Sequence, residues 1–364
     1  MTTASSPPRI TAGAMTGTSL DGIDAAVVAI SGHGLDMRAE VLSHAAGPLG
    51  SAEETIRQLT TGGETSAKVI ATAVKALSTQ TAAVMQQAIG NHRVDFAGVH
   101  GQTVLHAPPC SWQLIDAAVI ADTLSCPVAS QMRGGDLAAG GEGAPITPLA
   151  DWILFRSNVR RAIVNLGGFC NITWLPAGKD INSIAGRDIC VCNQLLDAAA
   201  ARRLGRNWDV DGQHAAAGVA NEAIVNSLMR TLTSDGPTRS LGTGDESLNW
   251  LDESIARDAP SDILLASMAN AIGSTIGTAA AANADEIIVA GGGAHHRPLV
   301  AAIASATDVP VRPSSDLGIP IEAREAACIA VLAALDRDGI RGTLPAVTGR
   351  RDGPMISMQW CQPI

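Results

Sequence analysis

Arg9–Ile30, RITAGAMTGTSLDGIDAAVVAI, is the stretch whose reading decides the fold. Ile10 and Met15 belong to one apolar arm, and Ile23, Val27, Val28 and Ile30 to a second. Between them, Thr16-Gly17-Thr18-Ser19-Leu20-Asp21-Gly22 supplies three hydroxyls, two glycines and a carboxylate. The pattern predicts strand, polar turn, strand. Glycines allow backbone N–H groups to turn toward an anion, and the hydroxyls add donors. A buried carboxylate beside them needs a cation or donors to offset its desolvation. A phosphate with Mg²⁺ meets both demands; an ordinary hairpin turn uses the same residue types.

Working outward, Gly32–Gly50 alternates weakly and predicts a third strand of the same sheet. Ser51–Gly90 changes to helical spacing, with Gly62-Gly63 separating two helices. Asp95–His106 reads as a short strand entering a polar loop, followed by a helix at Ala117–Leu124 and a strand at Pro127–Ala129. Arg133–Pro148, RGGDLAAGGEGAPITP, is too long and polar for a simple connector and predicts a functional loop. Arg161–Pro176 then repeats the opening pattern, with a turn at Gly167-Gly168. A strand at Asp180–Ala185 and helices at Asn193–Leu204, Gly212–Leu232, Leu248–Ile255 and Ser261–Ala282 follow. Glu286–Ala294, EIIVAGGGA, is a buried strand ending in glycines. A helix at Glu322–Leu335 and a returning strand within Pro345–Ile364 complete the series.

Two hairpin-first units therefore predict two mixed α/β lobes, residues 1–128 with 345–364 and residues 129–344, with a nucleotide cleft between them. A doubly wound dinucleotide fold would alternate strand and helix from the start. No GxGxxG or GxxxxGK[ST] occurs, and Gly178-Lys179 is followed by Asp180. Phosphate, if bound, is bound by hairpin turns.

The bulk composition narrows the partners. The chain has 364 residues and a net charge of −10, which argues against nucleic acid or an anionic membrane. There is no Tyr, so no mechanism can use one. Seven scattered cysteines without a CxxC pair point to free thiols in a reducing compartment. MTTASSPPR lacks an apolar signal core, and the expectation is a soluble cytoplasmic protein.

Seven motifs in order carry a family resemblance: GAMTGTSLDGID (Gly13–Asp24), VHGQTVLHAP (Val99–Pro108), RGGDLAAGGEGAP (Arg133–Pro145), NLGGFCNIT (Asn165–Thr173), VAGGGAHHRPL (Val289–Leu299), EAACIAVLA (Glu325–Ala333) and LPAVTG (Leu344–Gly349). Together they resemble the anhydro-N-acetylmuramic acid kinases of the sugar kinase/Hsp70/actin superfamily. The resemblance implies two ribonuclease-H-like lobes, ATP and Mg²⁺, and phosphorylation of 1,6-anhydro-N-acetylmuramic acid with opening of its anhydro bridge, giving N-acetylmuramate 6-phosphate in cell-wall recycling. It also implies a homodimer. Carried over, Gly17, Thr18, Ser19, Leu20, Asp21, Gly22, Ile23 and Asp24 form the ATP turn, and Asp21 and Asp24 organise Mg²⁺. Gly168 and Gly291, Gly292 and Gly293 complete the nucleotide side. Gln102, Thr103, Arg133 and Asp136 are implied as sugar contacts, Asp188 as catalytic base and Glu325 as a second carboxylate that orients water.

The sequence departs from that family at two places. Where the family has GFDTGPGN, this chain has Gly186-Arg187-Asp188-Ile189-Cys190-Val191-Cys192-Asn193. β-Branched residues resist the glycine-type backbone of such a loop. Within Pro237–Leu251, Thr243 replaces a basic residue. A kinase with a remodelled loop, a kinase for a different anhydrosugar, and a sugar-binding homologue with weak or lost phosphoryl transfer all fit these losses.

Overall fold

Alternating apolar residues in the opening stretch form an antiparallel pair, with Arg9 opposite Ile30 and Thr16 opposite Ile23. The computed structural model describes residues 7–17, 20, 22–233, 241, 245, 247–353 and 357–363. Along the chain these form β1 (Arg9–Thr16), β2 (Ile23–Ser31), β3 (Arg38–Gly47), α1 (Glu53–Thr60), α2 (Ala67–Ile89), β4 (Phe96–His100), β5 (Gln102–Ala107) and β6 (Cys110–Leu114). Next come α3 (Ala117–Leu124), β7 (Val128–Ser130), α4 (Gly134–Ala138), α5 (Pro148–Phe155), β8 (Arg161–Leu166), β9 (Phe169–Leu175), β10 (Ala185–Val191) and α6 (Asn193–Leu204). The remainder comprises α7 (Gln213–Ala217), α8 (Glu222–Thr233), α9 (Ser254–Arg257), α10 (Ser261–Ala281), β11 (Glu286–Ala290), α11 (Arg297–Ser305), β12 (Val311–Pro313), α12 (Arg324–Arg337), α13 (Pro345–Thr348) and β13 (Gln359–Cys361).

The chain divides into two units, the first made of Met1–Phe155 with Gly318–Ile364 and the second of Arg156–Leu317. In the first, the sheet order is β13-β7-β4-β1-β2-β3. β1, β2 and β3 are antiparallel neighbours, while β4 runs parallel to both β1 and β7. Side chains alternate across the pleat. Ala12 and Ala14 join Leu77, Val84 and Met85 of α2 in one core cluster. Gly13 faces the other way, where a Cβ would lie 2.0 Å from the Ala326 carbonyl and 2.5 Å from the Ala330 nitrogen. Gly98 on β4 is as tight, its Cβ position 2.8 Å from the Ile329 carbonyl. These two glycines let α12, rich in buried alanine, rest directly on the sheet.

The second unit repeats the topology, with order β10-β9-β8-β11-β12. β8, β9 and β10 are antiparallel, and β11 runs parallel to β8 and β12. Both sheets thus have the ribonuclease-H-like strand order, and the fold is α/β. α10 is long and apolar enough to cross a bilayer, yet 67% of its apolar window is buried inside the protein. Trp174 Nε1 donates to the Ala280 carbonyl at 3.2 Å, and a Cβ at Gly273 would meet Leu299 and Ala302 of α11. It is a core helix.

Several expectations change. The boundaries at 128/129 and 344/345 move to 155/156 and 317/318. The reason is that β7 pairs with β4, and α5 packs on α12, which covers β1, β2 and β4. Arg133, Asp136 and Glu325 consequently belong to the first unit. The predicted polar loop after β4 is a second hairpin, β5–β6, pairing Gln102 with Leu114 and Leu105 with Trp112. The strand predicted at Asp180–Ala185 lies later, at Ala185–Val191, so Asp188 is a strand residue. Gly212–Leu232 is two helices, α7 and α8, separated at Gly218–Asn221.

Candidate active site

In the first unit, β4 delivers His100 and β5 begins at Gln102, so both side chains issue from the end of the parallel strands. Arg133 Nε donates to His100 Nε2 at 3.0 Å, and Arg133 Nη1 donates to the Gly143 carbonyl at 2.6 Å. Arginine has no acceptor, so His100 Nε2 carries a lone pair and the ring is neutral. Burial and the neighbouring guanidinium both push the His100 pKa down, to about 3. Burial and Arg133 also lower His106, to about 4. His106 Nδ1 lies 3.0 Å from Ser111 Oγ, and Gln113 links Ser111 to Thr103. Gln102 is fully buried, and its Oε1 has no hydrogen-bond partner, nor has His106 Nε2. Orphaned buried acceptors and donors of this kind are matched by water or a polar ligand.

Asp136 turns out to organise the loop. It is 3% exposed; Oδ2 accepts from the Gly143 N–H at 2.7 Å and Oδ1 from Thr348 Oγ1 at 2.7 Å, with Arg350 Nε 3.8 Å away. A Cβ at Gly141 would stand 2.2 Å from Asp136 Oδ2. Its carboxylate therefore closes the loop that carries Arg133, whereas the sequence reading made it a sugar contact. Arg350 and Thr348 were missed because their partner lies more than 200 residues away, and no local pattern marks such a pairing.

At the opening hairpin, the Leu20 N–H donates to the Gly17 carbonyl at 3.3 Å, and Leu20 has φ +57°. The Leu20 side chain packs against the core and Ile23 is fully buried, so these two could offer only backbone groups to a nucleotide. Thr18, Ser19 and Asp21 lie outside the described residues. Thr16, 4% exposed at the end of β1, has an Oγ1 without a hydrogen-bond partner, which fits a polar ligand at this turn. Asp24 pairs in register with Met15. Among the described residues no three His, Cys, Asp or Glu side chains cluster to hold a metal ion. Mg²⁺ bound through one or two carboxylates, phosphate oxygens and waters needs no such cluster.

In the second unit, Asp188 stands opposite Asn171, and the register slips between Asp188 and Cys190. Such a bulge re-aims a side chain. Asp188 Oδ2 accepts from the Leu241 N–H at 2.7 Å. Ile189–Cys192 form no open loop: Cys190, Val191 and Cys192 are buried in the core, where β-branched and small apolar residues suit a strand. Burial pushes the Cys190 thiol up to about 12 and the Cys170 and Cys192 thiols well above their usual range. The N–H groups of Cys192, Asn193 and Gln194 donate to Gly168, Gly167 and Gly168 carbonyls at 2.8, 3.0 and 3.3 Å. Gly168 therefore anchors the start of α6. Asn193 Nδ2 donates to the Leu166 carbonyl at 3.0 Å.

The glycine triplet divides by role. Gly291 has φ +82°, and a Cβ there would stand 2.8 Å from Asn165 Oδ1; at Gly293 it would stand 2.6 Å from Asn193 Oδ1. Both are required for packing β11 against β8 and α6. Only at Gly292 is the nearest atom 4.0 Å away, leaving a face open to a ligand. Glu325 occupies the first turn of α12, half-buried, in the first unit.

The sequence model of the anhydro-N-acetylmuramic acid kinases matches residues 9–358, which include every element from β1 through α13. The chain belongs to the anhydro-N-acetylmuramic acid kinase family. It is 34% identical to the anhydro-N-acetylmuramic acid kinase of Salinibacter ruber, over 94% of this chain and 93% of that one. The kinase of Bordetella pertussis is also 34% identical, over 95% and 94% of the two chains. That of Chromohalobacter salexigens matches at 34%, over 94% and 97%. As a member of this family the chain is a sugar kinase. Family membership does not reveal the His100–Arg133 contact; the only sequence signal for it is that both residues fall in glycine-flanked polar stretches.

Proposed function

We propose that the protein transfers the γ-phosphoryl group of ATP to O6 of 1,6-anhydro-N-acetylmuramic acid while water opens the anhydro bridge, yielding N-acetylmuramate 6-phosphate for cell-wall recycling. The observation that carries this reading is Asp188, an acidic side chain placed at a bulge and held at Oδ2 by the Leu241 N–H. Asp188 accepts a proton from the attacking water, whose oxygen bonds to the anomeric carbon as the bond from that carbon to O6 breaks. O6 takes the phosphoryl group, so no free alkoxide is released. Glu325 orients the water. Arg133, held through Nε and Nη1, offers positive charge to the lactyl carboxylate, and Gln102 and Thr103 meet the sugar's polar atoms. Thr16, the Gly17–Asp24 turn and Gly292 are the nucleotide contacts. Asp21 and Asp24 would hold Mg²⁺, which when bound neutralises phosphate charge.

The test is ³¹P NMR of the purified protein with MgATP and the anhydrosugar, where a sugar 6-phosphate signal is expected. Asp188→Asn should lower kcat by roughly a hundredfold or more. Undiminished turnover would reassign the base.

A second reading, a sugar-binding homologue with weak phosphoryl transfer, is favoured by one observation. The three amides at the start of α6 are committed to Gly167 and Gly168 carbonyls and do not address a phosphate. Calorimetry separates the two: heat with the sugar and none with MgATP supports this alternative, and tight MgATP binding rejects it.

A further inference from the structure

α12 opens with two adjacent charged residues of different fates. Glu325 is half-buried, whereas Arg324 is 0% exposed. The Arg324 guanidinium meets Asp151 of α5, also 0% exposed, at two points: Nε donates to Oδ1 at 2.9 Å and Nη2 donates to Oδ2. Nη2 also reaches Thr147 Oγ1 at 3.4 Å, and Cys328 Sγ, one turn along α12, lies 3.5 Å from Asp151 Oδ1. Nη1 is buried without a hydrogen-bond partner. Burial opposes the charge on Arg324, but Asp151 and, more weakly, Glu325 outweigh it and hold the group protonated.

A buried ion pair is a poor device for stability, since apolar residues of similar volume often serve as well or better. Every position from Ala326 to Leu335 on α12 is buried, and each is apolar or small, with no charged residue among them. What distinguishes Arg324 and Asp151 is where they sit. Asp151 lies one turn beyond Thr147, at the exit of the loop carrying Arg133. Arg324 adjoins Glu325. We propose that Arg324 and Asp151 are a positioning pair. They fix the first turn of α12, and with it the start of the helix that carries Glu325, against the exit of the sugar-side loop. The inference rests on the reading of Glu325 as the group that orients water.

The experiment compares Arg324→Met combined with Asp151→Leu, Arg324→Lys, and Glu325→Gln in steady-state assays with MgATP and 1,6-anhydro-N-acetylmuramic acid. Either charge deleted alone leaves the other buried without its counter-ion, so the double variant is the informative one. It should melt near the wild type, keep its sugar KM within about twofold, and lose kcat by about a hundredfold, as misplacement of a reacting group by about 1 Å does. Arg324→Lys keeps the charge but loses the two-point contact with Asp151, and should lower kcat while leaving the sugar KM unchanged. A double variant with wild-type kcat overturns the proposal. If the double variant does not fold, an Arg324→Lys enzyme with unchanged kcat overturns it instead. Full turnover by Glu325→Gln would overturn the underlying assignment of Glu325, a distinguishable failure.

Discussion

A neutral histidine beside an arginine is an unusual economy of charge, and His100 shows what it accomplishes. Its Nε2 accepts from Arg133 Nε at 3.0 Å, which fixes the guanidinium without neutralising it. An acidic partner in the same place would compete with the substrate's carboxylate for Arg133. His100→Phe should raise the sugar KM by about tenfold, the cost of a hydrogen bond to a charged group, while His100→Gln, whose amide oxygen can accept, should restore it. The folded-state pKa of about 3 lies below the ordinary histidine value, so the unfolded chain binds the proton more readily. The contribution of His100 is therefore full above about pH 6.5 and is lost as pH falls toward 3. Melting temperatures measured from pH 7 to pH 5 should fall less steeply in His100→Gln than in the wild type. The sequence made Arg133 and Gln102 legible because polar residues in glycine-rich stretches stand out. It could not separate a histidine that contacts ligand from one that holds an arginine, since both look alike until the partner is known.

At the scale of elements, periodicity located most helices and strands, and the failures share a cause. The β5–β6 hairpin was read as loop because its arms are short and polar, with Leu105 and Trp112 facing outward as cross-strand partners. β10 was misplaced because Asp188 and a bulge interrupt its apolar alternation. Other features were legible only in part: glycines at 13 and 98 look like ordinary strand residues, although each marks a point where α12 touches the sheet backbone. Gly13→Ala would put a methyl group 2.0 Å from the Ala326 carbonyl, one residue from Glu325. It should destabilise the protein by roughly 2 kcal/mol or more through overpacking, as read from urea midpoints. Gly353→Ala, where nothing lies within 4 Å and φ is not positive, is the control for adding a methyl group without crowding.

For the whole molecule, the duplicated hairpin-first pattern correctly announced two similar sheets, yet the boundaries between units were displaced. Strand pairing and helix packing reveal that α5 and α12 share a unit. The second unit is one continuous segment, 156–317, with its own core around Trp174, Trp250 and Met268. Expressed alone, it should unfold cooperatively in urea; a broad, non-cooperative transition would contradict its independence. The first unit is interrupted, and that has a consequence during synthesis. β1 and β4 leave the ribosome early, but α12, which covers Gly13 and Gly98, emerges only after the entire second unit. β13, which extends the sheet beyond β7, comes later still. The nascent first unit must therefore wait with one face of its sheet bare, while the second has all it needs to close. Ribosomes stalled so that residue 317 has just cleared the exit tunnel, with α12 still inside it, should carry a folded later unit and an unfinished earlier one, a reversal of the usual order in which domains mature.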